Sequence, residues 1–240
     1  MDILGVLCDE MRRRAKGGLY HQTQIKLSYN TNRMEGSLLS EDQTRYIYET
    51  NTLFLPQGEE TARVDDILET VNHFACFDYM LSVATEPLCE EHIKTMHRLL
   101  KQNTSQSRLA WFSIGGYKQR ANMVGGLETC PPAEVGECMR EMLAEYTATE
   151  EPDFLTIVDF HYHFERIHPF QDGNGRVGRL IMFKECLRHG EIPFIIEEDH
   201  KFFYYRGLAE YPRVREYLIE TCRSAQDTYR ALAQHLTLPN

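Results

Sequence analysis

The chain has 240 residues, of which 26 are Lys or Arg and 36 are Asp or Glu, so its formal net charge is −10. A chain of this length can bury a full hydrophobic core without help from disulfides or metals. The acidic balance argues against broad binding to nucleic acid or to anionic lipid, because both need clustered Lys and Arg side chains. We expect a globular protein in which only a local basic site remains.

Targeting signals and redox chemistry give two further expectations. The beginning of the chain lacks the apolar stretch of a secretory signal, and no apolar run reaches the roughly eighteen residues that a membrane span needs. The seven cysteines are widely spread and contain no CxxC pair. This pattern is typical of reduced thiols rather than of a disulfide framework or a zinc site, and it predicts a cytoplasmic protein.

Most of the chain has the apolar spacing that is typical of helices. In chain order, helices are predicted over residues 64–83, after Pro87, after Pro131 and Pro132, over 153–167, over 176–189 up to Gly190, and from Pro212 to about residue 236. Residues 111–126 break this pattern, since turn glycines surround strand-forming residues there and predict a short β-hairpin. Residues 56–58 predict a loop. A single, mostly helical domain accounts for these elements.

The segment 168–179, which reads HPFQDGNGRVGR, combines a histidine, an aspartate, three glycines and two arginines. Pro169 ends the preceding helix, and the next helical pattern begins near Arg176, so the segment is predicted to be a loop that enters a helix N-terminus. Such a position binds anions through free N–H groups and the positive end of the helix dipole. Arg176 and Arg179 lie three residues apart and would add their charges to a polyphosphate site.

Three other interpretations of this segment are less consistent with its surroundings. Residues 173–178 also fit GxGxxG, the dinucleotide-binding pattern, but that pattern requires a preceding strand, whereas residues 154–167 have a helical period. A plain glycine-rich connector would leave His168, Asp172 and both arginines without a role. A metal site that joins His161 and His163 to His168 is also disfavoured, because alternate residues of a helix point to different faces.

The segment resembles the signature of the Fic family, HPFx(D/E)GNGRxxR, and matches it at every defined position. Further positions that resemble the family are Asn72, His97, the hairpin from Gly116 to Gly126, the Pro131–Pro132 pair, Tyr204, Tyr205 and Leu208. Lys118 departs from it, since many relatives have arginine there. The resemblance implies an all-α Fic fold, with about eight helices around a central loop-helix and a small β-hairpin as a flap.

The resemblance also implies an activity, the transfer of AMP from ATP to a Ser, Thr or Tyr hydroxyl of a protein with release of pyrophosphate. His168 would act as general base, because imidazole has an unperturbed pKa of about 6.5. Asp172 would bind Mg²⁺, with Mn²⁺ as an alternative. The nucleotide would be held by Gly173, Asn174, Gly175, Arg176 and Arg179, and Tyr204 and Tyr205 would line the adenine pocket.

An inhibitory element is implied by residues 31–36, TNRMEG, which match the family motif (S/T)xxxE(G/N). In the family this glutamate pairs with the second arginine of the signature, which here places Glu35 on Arg179. The arginine would otherwise hold the γ-phosphate of ATP, so the isolated protein is expected to be largely inactive. The implied organisation is an N-terminal segment with the inhibitory helix over 1–60 and a catalytic core over 61–240.

Alternative functions remain open at this point. A Fic-fold enzyme could use another nucleotide or phosphoryl donor, or it could remove AMP from modified proteins with Glu35 aligning a water molecule. A binding module without catalysis is disfavoured by the intact His168 and Asp172. The partners implied are a target protein docked by the flap near residues 116–126, the chain itself as a target, and a second copy in a homodimer; neither nucleic acid nor a membrane is expected.

Overall fold

The structure is a computed structural model that describes residues 1–55, 57–58 and 61–237. This part of the chain forms ten α-helices and one two-stranded antiparallel hairpin. The helices are α1 (Ile3–Arg13), α2 (Leu19–Met34), α3 (Glu41–Thr50), α4 (Val64–Ser82), α5 (Glu90–Lys101), α6 (Val135–Ala148), α7 (Phe154–Ile167), α8 (Asn174–Arg188), α9 (Lys201–Glu210) and α10 (Glu216–Thr237). The hairpin strands are β1 (Met123–Val124) and β2 (Leu127–Glu128). The predicted all-α fold is confirmed.

Helix boundaries follow local chemistry that the sequence already displays. Asp153 caps α7, because its carboxylate accepts a hydrogen bond from the Thr156 N–H at 2.8 Å. The helix ends where His168 adopts the left-handed conformation, with φ of 51°, immediately before Pro169. Gly173, with φ of 82°, then starts α8 two residues earlier than predicted. Both ends of the signature loop are therefore fixed by backbone conformation.

The hairpin lies further along the chain than the sequence predicts. Met123 pairs with Glu128 and Val124 pairs with Leu127, so Gly125 and Gly126 form the turn instead of the end of the hairpin. The predicted bounds of the hairpin were too early, because glycine pairs at both ends of the segment give equal turn signals. Of the predicted N-terminal features, Pro56 of the loop and Glu60 at the domain boundary lie outside the described residues.

The core is built around α8, which packs against α2, α4, α5 and α7. Every residue of α8 except Gly175 and Arg188 is buried. Phe183 contacts Phe77 and Tyr229 in edge-to-face geometry, with ring centroids 5.5 Å apart in both pairs. Burying one such ring stabilises the fold by about 1.5–3 kcal/mol. In the described part of the chain no helix has the length and apolar character to cross a bilayer.

Candidate active site

The signature loop is closed by its own side chains. The Asn174 amide accepts a hydrogen bond from the Phe170 N–H at 2.7 Å and donates one to the Phe170 carbonyl at 2.8 Å. Phe170 is fully buried and anchors the loop in the core. The loop therefore has a fixed conformation between the end of α7 and the start of α8.

His97 of α5 also contacts the signature loop. Its ring stacks on Phe170 at a centroid distance of 3.9 Å, its Nε2–H donates to the Asp172 carbonyl at 3.1 Å, and its Nδ1 accepts from the Gly115 N–H at 2.9 Å. Burial lowers the pKa of His97 to about 3, so the ring is neutral and can both donate and accept. Asn72 of α4 has a structural role as well, since its amide caps the carbonyls of Leu100 and Gln102 at the end of α5.

His168 lies at the C-terminal end of α7, and its side chain is largely buried. Burial, together with the charge of Lys118, lowers its pKa to about 4. The imidazole is therefore neutral at pH 7. Its Nδ1 lies 3.9 Å from the Glu165 carboxyl oxygen, which is beyond hydrogen-bond distance. Burial raises the pKa of Glu165 to about 8, so this carboxyl is mostly protonated at neutral pH.

Lys118 fastens the flap segment onto the signature loop. Its backbone N–H donates to the Pro169 carbonyl at 2.8 Å, and its buried ammonium donates to Asn122 Oδ1, Thr129 Oγ1 and the Ile167 carbonyl at 2.8, 2.6 and 3.2 Å. Burial lowers the pKa of Lys118 to about 8. The residue that departs from the family pattern therefore connects the root of the flap to the residue before His168.

Arg176 and Asp172 belong to a cluster of four charges. Arg176 donates to Glu69 Oε2 at 2.5 Å and lies 3.5 Å from Asp172 Oδ2. Lys101 donates to the same Asp172 oxygen at 2.7 Å and forms a further hydrogen bond to Glu69. Burial opposes the ionisation of Asp172, but the charges of Arg176 and Lys101 outweigh it and hold its pKa well below the usual range. Arg176 also donates a hydrogen bond to the neutral Asn32 Oδ1 at 3.3 Å.

The carboxylates of this cluster can hold a divalent cation. Asp172 is 37% exposed, and together with Glu69 it lines a cavity of about 800 Å³. Hard carboxylate oxygens of this kind suit Mg²⁺, which binds through one or two carboxylates plus substrate phosphates. The Lys101 ammonium forms ion pairs with both carboxylates. Among the described residues, a larger cluster of metal-ligating types is Glu197, Asp199 and His200, and it contains none of the predicted site residues.

Arg179 is engaged by the N-terminal segment. Its Nη2 donates to Glu35 Oε1 at 2.5 Å, and its Nε donates to Thr31 Oγ1 at 2.7 Å. Burial opposes its charge, but the Glu35 carboxylate raises the pKa of Arg179 above its ordinary value. A Cβ at Gly175 would lie only 2.4 Å from Glu35 Oε1. The absence of a side chain at Gly175 therefore lets this carboxylate reach the first turn of α8, where anions are favoured.

The two predicted adenine-pocket tyrosines lie in different environments. Tyr204 is fully buried, its hydroxyl lies 2.7 Å from His161 Nε2, and its ring centre is 5.8 Å from the Arg179 guanidinium carbon. Tyr205 is 41% exposed, and its hydroxyl donates to the Met34 carbonyl at 3.3 Å. Both residues therefore flank the contact between Arg179 and the end of α2. His163, unlike His161, is largely exposed, so these two imidazoles face apart.

The structure thus gathers most predicted site residues at the N-terminus of α8. They are His168, Asp172, Gly173, Asn174, Gly175, Arg176 and Arg179, with Glu35 directly opposite. Sequence patterns do not single out Glu69, Lys101 and Glu165, because isolated charges on helices are usually solvated. A helix N-terminus with two buried guanidinium groups can bind a polyphosphate. A neutral imidazole on the loop before it can accept a proton from an attacking hydroxyl.

Known proteins resemble this chain in sequence. The model of the Fic/DOC family matches residues 87–186, a range that includes the signature loop. The chain is 26% identical over 221 residues to the protein adenylyltransferase Fic of Nematostella vectensis, covering 88% of this chain and 49% of that protein. It is 27% identical over 198 residues to the protein adenylyltransferase fic-1 of Caenorhabditis elegans, covering 79% and 37%. The chain therefore spans about half the length of these relatives, or less.

A solved structure shows the same fold. The crystal structure of a Fic domain containing signaling protein from Bacteroides thetaiotaomicron superposes with a TM-score of 0.76 at 21% sequence identity. The superposition covers 94% of this chain and 88% of that one. The Fic fold therefore extends over nearly the whole chain, beyond the segment that the family model matches.

Proposed function

Because residues 87–186 carry the domain of the Fic/DOC family, we propose that the chain is a protein adenylyltransferase. It would transfer AMP from ATP to a Ser, Thr or Tyr hydroxyl of a protein and release pyrophosphate. The observation that carries the proposal is the N-terminus of α8, where neutral His168 begins the loop that leads into a helix with two buried arginines in its first two turns. The names of the two relatives support the same activity.

His168 is the proposed general base. Its pKa of about 4 means that the imidazole stays unprotonated through neutral pH and can take the proton of the incoming hydroxyl. As this hydroxyl loses its proton, its oxygen attacks the α-phosphorus of ATP and pyrophosphate leaves. The contacts of Asn174 and His97 hold the backbone of the loop that follows His168, and so keep this residue in place at the end of α7.

The phosphates would lie against the first turn of α8. Backbone N–H groups at Gly173, Asn174 and Gly175 are among those that a helix start leaves without intrahelical partners. Arg176 and Arg179 would offset the negative charge that develops on the leaving pyrophosphate. Removing one such donor typically costs about 2.7–4 kcal/mol of transition-state stabilisation.

Asp172, with Glu69 beside it, would hold the divalent cation. When bound, Mg²⁺ or Mn²⁺ supplies positive charge to the phosphate oxygens of the nucleotide. The residues present fit this cation, because two carboxylates converge on one point that the Lys101 ammonium now occupies. The protein's own part is to keep Asp172 ionised, which the neighbouring Arg176 and Lys101 do.

Glu35 is proposed to keep the enzyme largely inactive. Its carboxylate lies against Gly175 and pairs with Arg179, so it occupies the position where a phosphate would meet both the helix N-terminus and the guanidinium. One guanidinium cannot serve both anions in the same geometry, and the γ-phosphate would be misplaced. Self-modification and a target docked by the flap near residues 116–126 belong to the same proposal, while a cytoplasmic location and a homodimer remain predictions of the sequence.

The His168→Ala variant, made together with Glu35→Gly, tests the activity. Transfer of label from α-³²P-ATP to protein should fall by about 10²–10⁴-fold, the usual effect of losing a general base. ATP binding should change by less than twofold, since the imidazole is proposed to act on the hydroxyl. His163→Ala, which removes a largely exposed histidine of the same helix, is the matched control. Transfer within twofold of the parent would refute the role of His168.

A second candidate keeps the fold and changes the reaction. Glu35 is 25% exposed beside the phosphate position, so it could align a water molecule for removal of AMP from a modified protein. Parallel assays with labelled ATP, GTP, UTP and CTP, together with release of label from a pre-modified protein, separate these activities. Release that requires Glu35, without any transfer by Glu35→Gly, would favour AMP removal over the proposed transfer.

A further inference from the structure

Two thiols that form no recognisable motif lie side by side at the root of the flap. Cys130 lies two residues after β2, and Cys138 is the fourth residue of α6. Their Sγ atoms are 3.0 Å apart. Both side chains are partly exposed. The spacing of eight residues carries no signal in the sequence, so the pair was assigned with the other cysteines to isolated reduced thiols.

The surroundings of the pair connect it to the flap anchor. Thr129, the residue before Cys130, accepts a hydrogen bond from the Lys118 ammonium at 2.6 Å and donates to Asn122. The same ammonium donates to the carbonyl of Ile167, next to the signature loop. Its positive charge also acts on Cys130, where it favours the thiolate. Cys130 thus directly follows Thr129, whose hydrogen bond with Lys118 helps to hold the flap against the signature loop.

We propose that Cys130 and Cys138 are a redox modification site that forms a reversible disulfide between the flap root and α6. The sulfur atoms have to approach from 3.0 Å to the covalent distance of about 2.0 Å, a movement of roughly 1 Å. A bond here restrains Thr129, and through Thr129 the position of Lys118. The inference does not depend on the proposed transfer of AMP.

The oxidant required is a peroxide such as hydrogen peroxide. One of the two thiolates displaces hydroxide from hydrogen peroxide and becomes a sulfenic acid. The other thiol then attacks that sulfur, the S–S bond forms, and the sulfenic oxygen leaves as water with the thiol proton. Two thiols and one peroxide thus give one disulfide and two waters.

Peptide mapping of the full chain tests the proposal. The protein is treated with hydrogen peroxide, free thiols are blocked with N-ethylmaleimide, and the chain is cut with a protease specific for glutamate. Glu134 and Glu137 lie between the two cysteines, so cleavage there separates them unless a disulfide holds the fragments together. Trypsin would be uninformative, because residues 121–140 contain no internal Lys or Arg. We expect a linked pair of fragments that lacks two hydrogens and separates on reduction with dithiothreitol.

Cys89 is an internal standard, since it is exposed and lies far from this pair in the sequence. At a peroxide dose that oxidises Cys89, the disulfide should be the main product at positions 130 and 138, because the second sulfur is already in place to capture the sulfenic acid. Cys130→Ser and Cys138→Ser should each abolish the linked fragments, whereas Cys89→Ser should keep them; circular dichroism checks that all three variants are folded. Two maleimide-blocked thiols at 130 and 138, at a peroxide dose that oxidises Cys89, would overturn the proposal, and so would sulfinic acid at either position without linkage.

Discussion

The two arginines of the signature are three residues apart on α8, but their charges are balanced in different ways. Arg176 is 2% exposed and shares two carboxylates, Glu69 and Asp172, with a second buried cation, Lys101. Arg179 is 4% exposed and, within the described part of the chain, has a single carboxylate partner, Glu35, at the end of α2. The first arginine belongs to a network within the catalytic core, and the second depends on one residue of the N-terminal segment.

This difference suggests two kinds of role for a buried charge. In the network, each ion has two partners of opposite sign, so losing one partner leaves the rest uncompensated and strains the fold. Glu35 is partly exposed, so it can exchange Arg179 for water at lower cost. We therefore expect changes around Arg176 to affect stability and changes around Arg179 to affect activity.

The largest expected effect is a difference in stability between the variants Glu69→Gln and Glu35→Gln. Removing the Glu69 charge should lower the free energy of unfolding by about 3 kcal/mol, since Arg176 and Lys101 would then share Asp172 alone. The same change at the more exposed Glu35 should cost less than the change at Glu69, because Arg179 keeps its hydrogen bonds to the Thr31 hydroxyl and carbonyl and water can reach the position of the lost carboxylate. Urea denaturation followed by circular dichroism measures both, and equal losses would remove the distinction between the two arginines.

Activity should show the opposite order. Glu35→Gly is expected to raise labelling of protein hydroxyls, including those of the chain itself, by at least about tenfold, equivalent to 1.4 kcal/mol. The physical reason is that Arg179 becomes free for the γ-phosphate. Labelling with radioactive ATP at saturating Mg²⁺ is the measurement. Combining Glu35→Gly with Arg179→Ala should abolish the gain, and equal labelling by wild type and Glu35→Gly would reject the inhibitory role.

Binding of a divalent cation tests whether the Lys101 ammonium competes for the two carboxylates of the network. Lys101→Met removes the ammonium that holds Asp172 and Glu69, so Mn²⁺ should bind roughly fivefold more tightly, a change of about 1 kcal/mol. Electron paramagnetic resonance of free Mn²⁺ gives the affinity without any assay of transfer. Asp172→Ala is the control and should weaken binding. Unchanged affinity in both variants would show that the cation does not use this cluster.

The smallest effect is expected at Thr31, whose side chain contributes one neutral hydrogen bond to Arg179. Thr31→Val should raise transfer about two- to threefold, because one hydrogen bond is worth about 0.5–1.5 kcal/mol and only part of it acts on the inhibited state. Thr31→Ser keeps the hydroxyl and should match wild type in the same labelling assay. A gain as large as that of Glu35→Gly would mean that the hydroxyl, and not the carboxylate, holds Arg179.

Sequence reasoning predicted the elements that have a local cause. Pro169 and the glycines around Asn174 indicated a loop that enters a helix, and the structure confirms it. The contact between Glu35 and Arg179 followed from family resemblance alone, since 144 residues separate the two side chains. Long-range pairing of this kind leaves no trace in apolar spacing.

Other features could not be predicted for the same reason. Glu69 and Lys101 are two charges among many on helical segments, and only the packing of α4 against α5 shows that they meet. The hairpin was misplaced because Gly115 and Gly125 give equal turn signals, and the choice between them depends on contacts with α5 and with Pro169. The thiol pair likewise depends on how the flap returns to α6.

The burial of α2 has a consequence for how fast the site can open. Twelve of its sixteen residues are buried, and it packs against α1, α3, α4, α8 and α10, so displacing the helix would require local unfolding, which takes microseconds to seconds. Glu35 lies one residue beyond the helix, and rotation of a partly exposed side chain takes only picoseconds to nanoseconds. Open and closed arrangements would therefore interconvert many times within one catalytic cycle. A regulator would act on the fraction of time that Arg179 is free and not on the rate at which it is released.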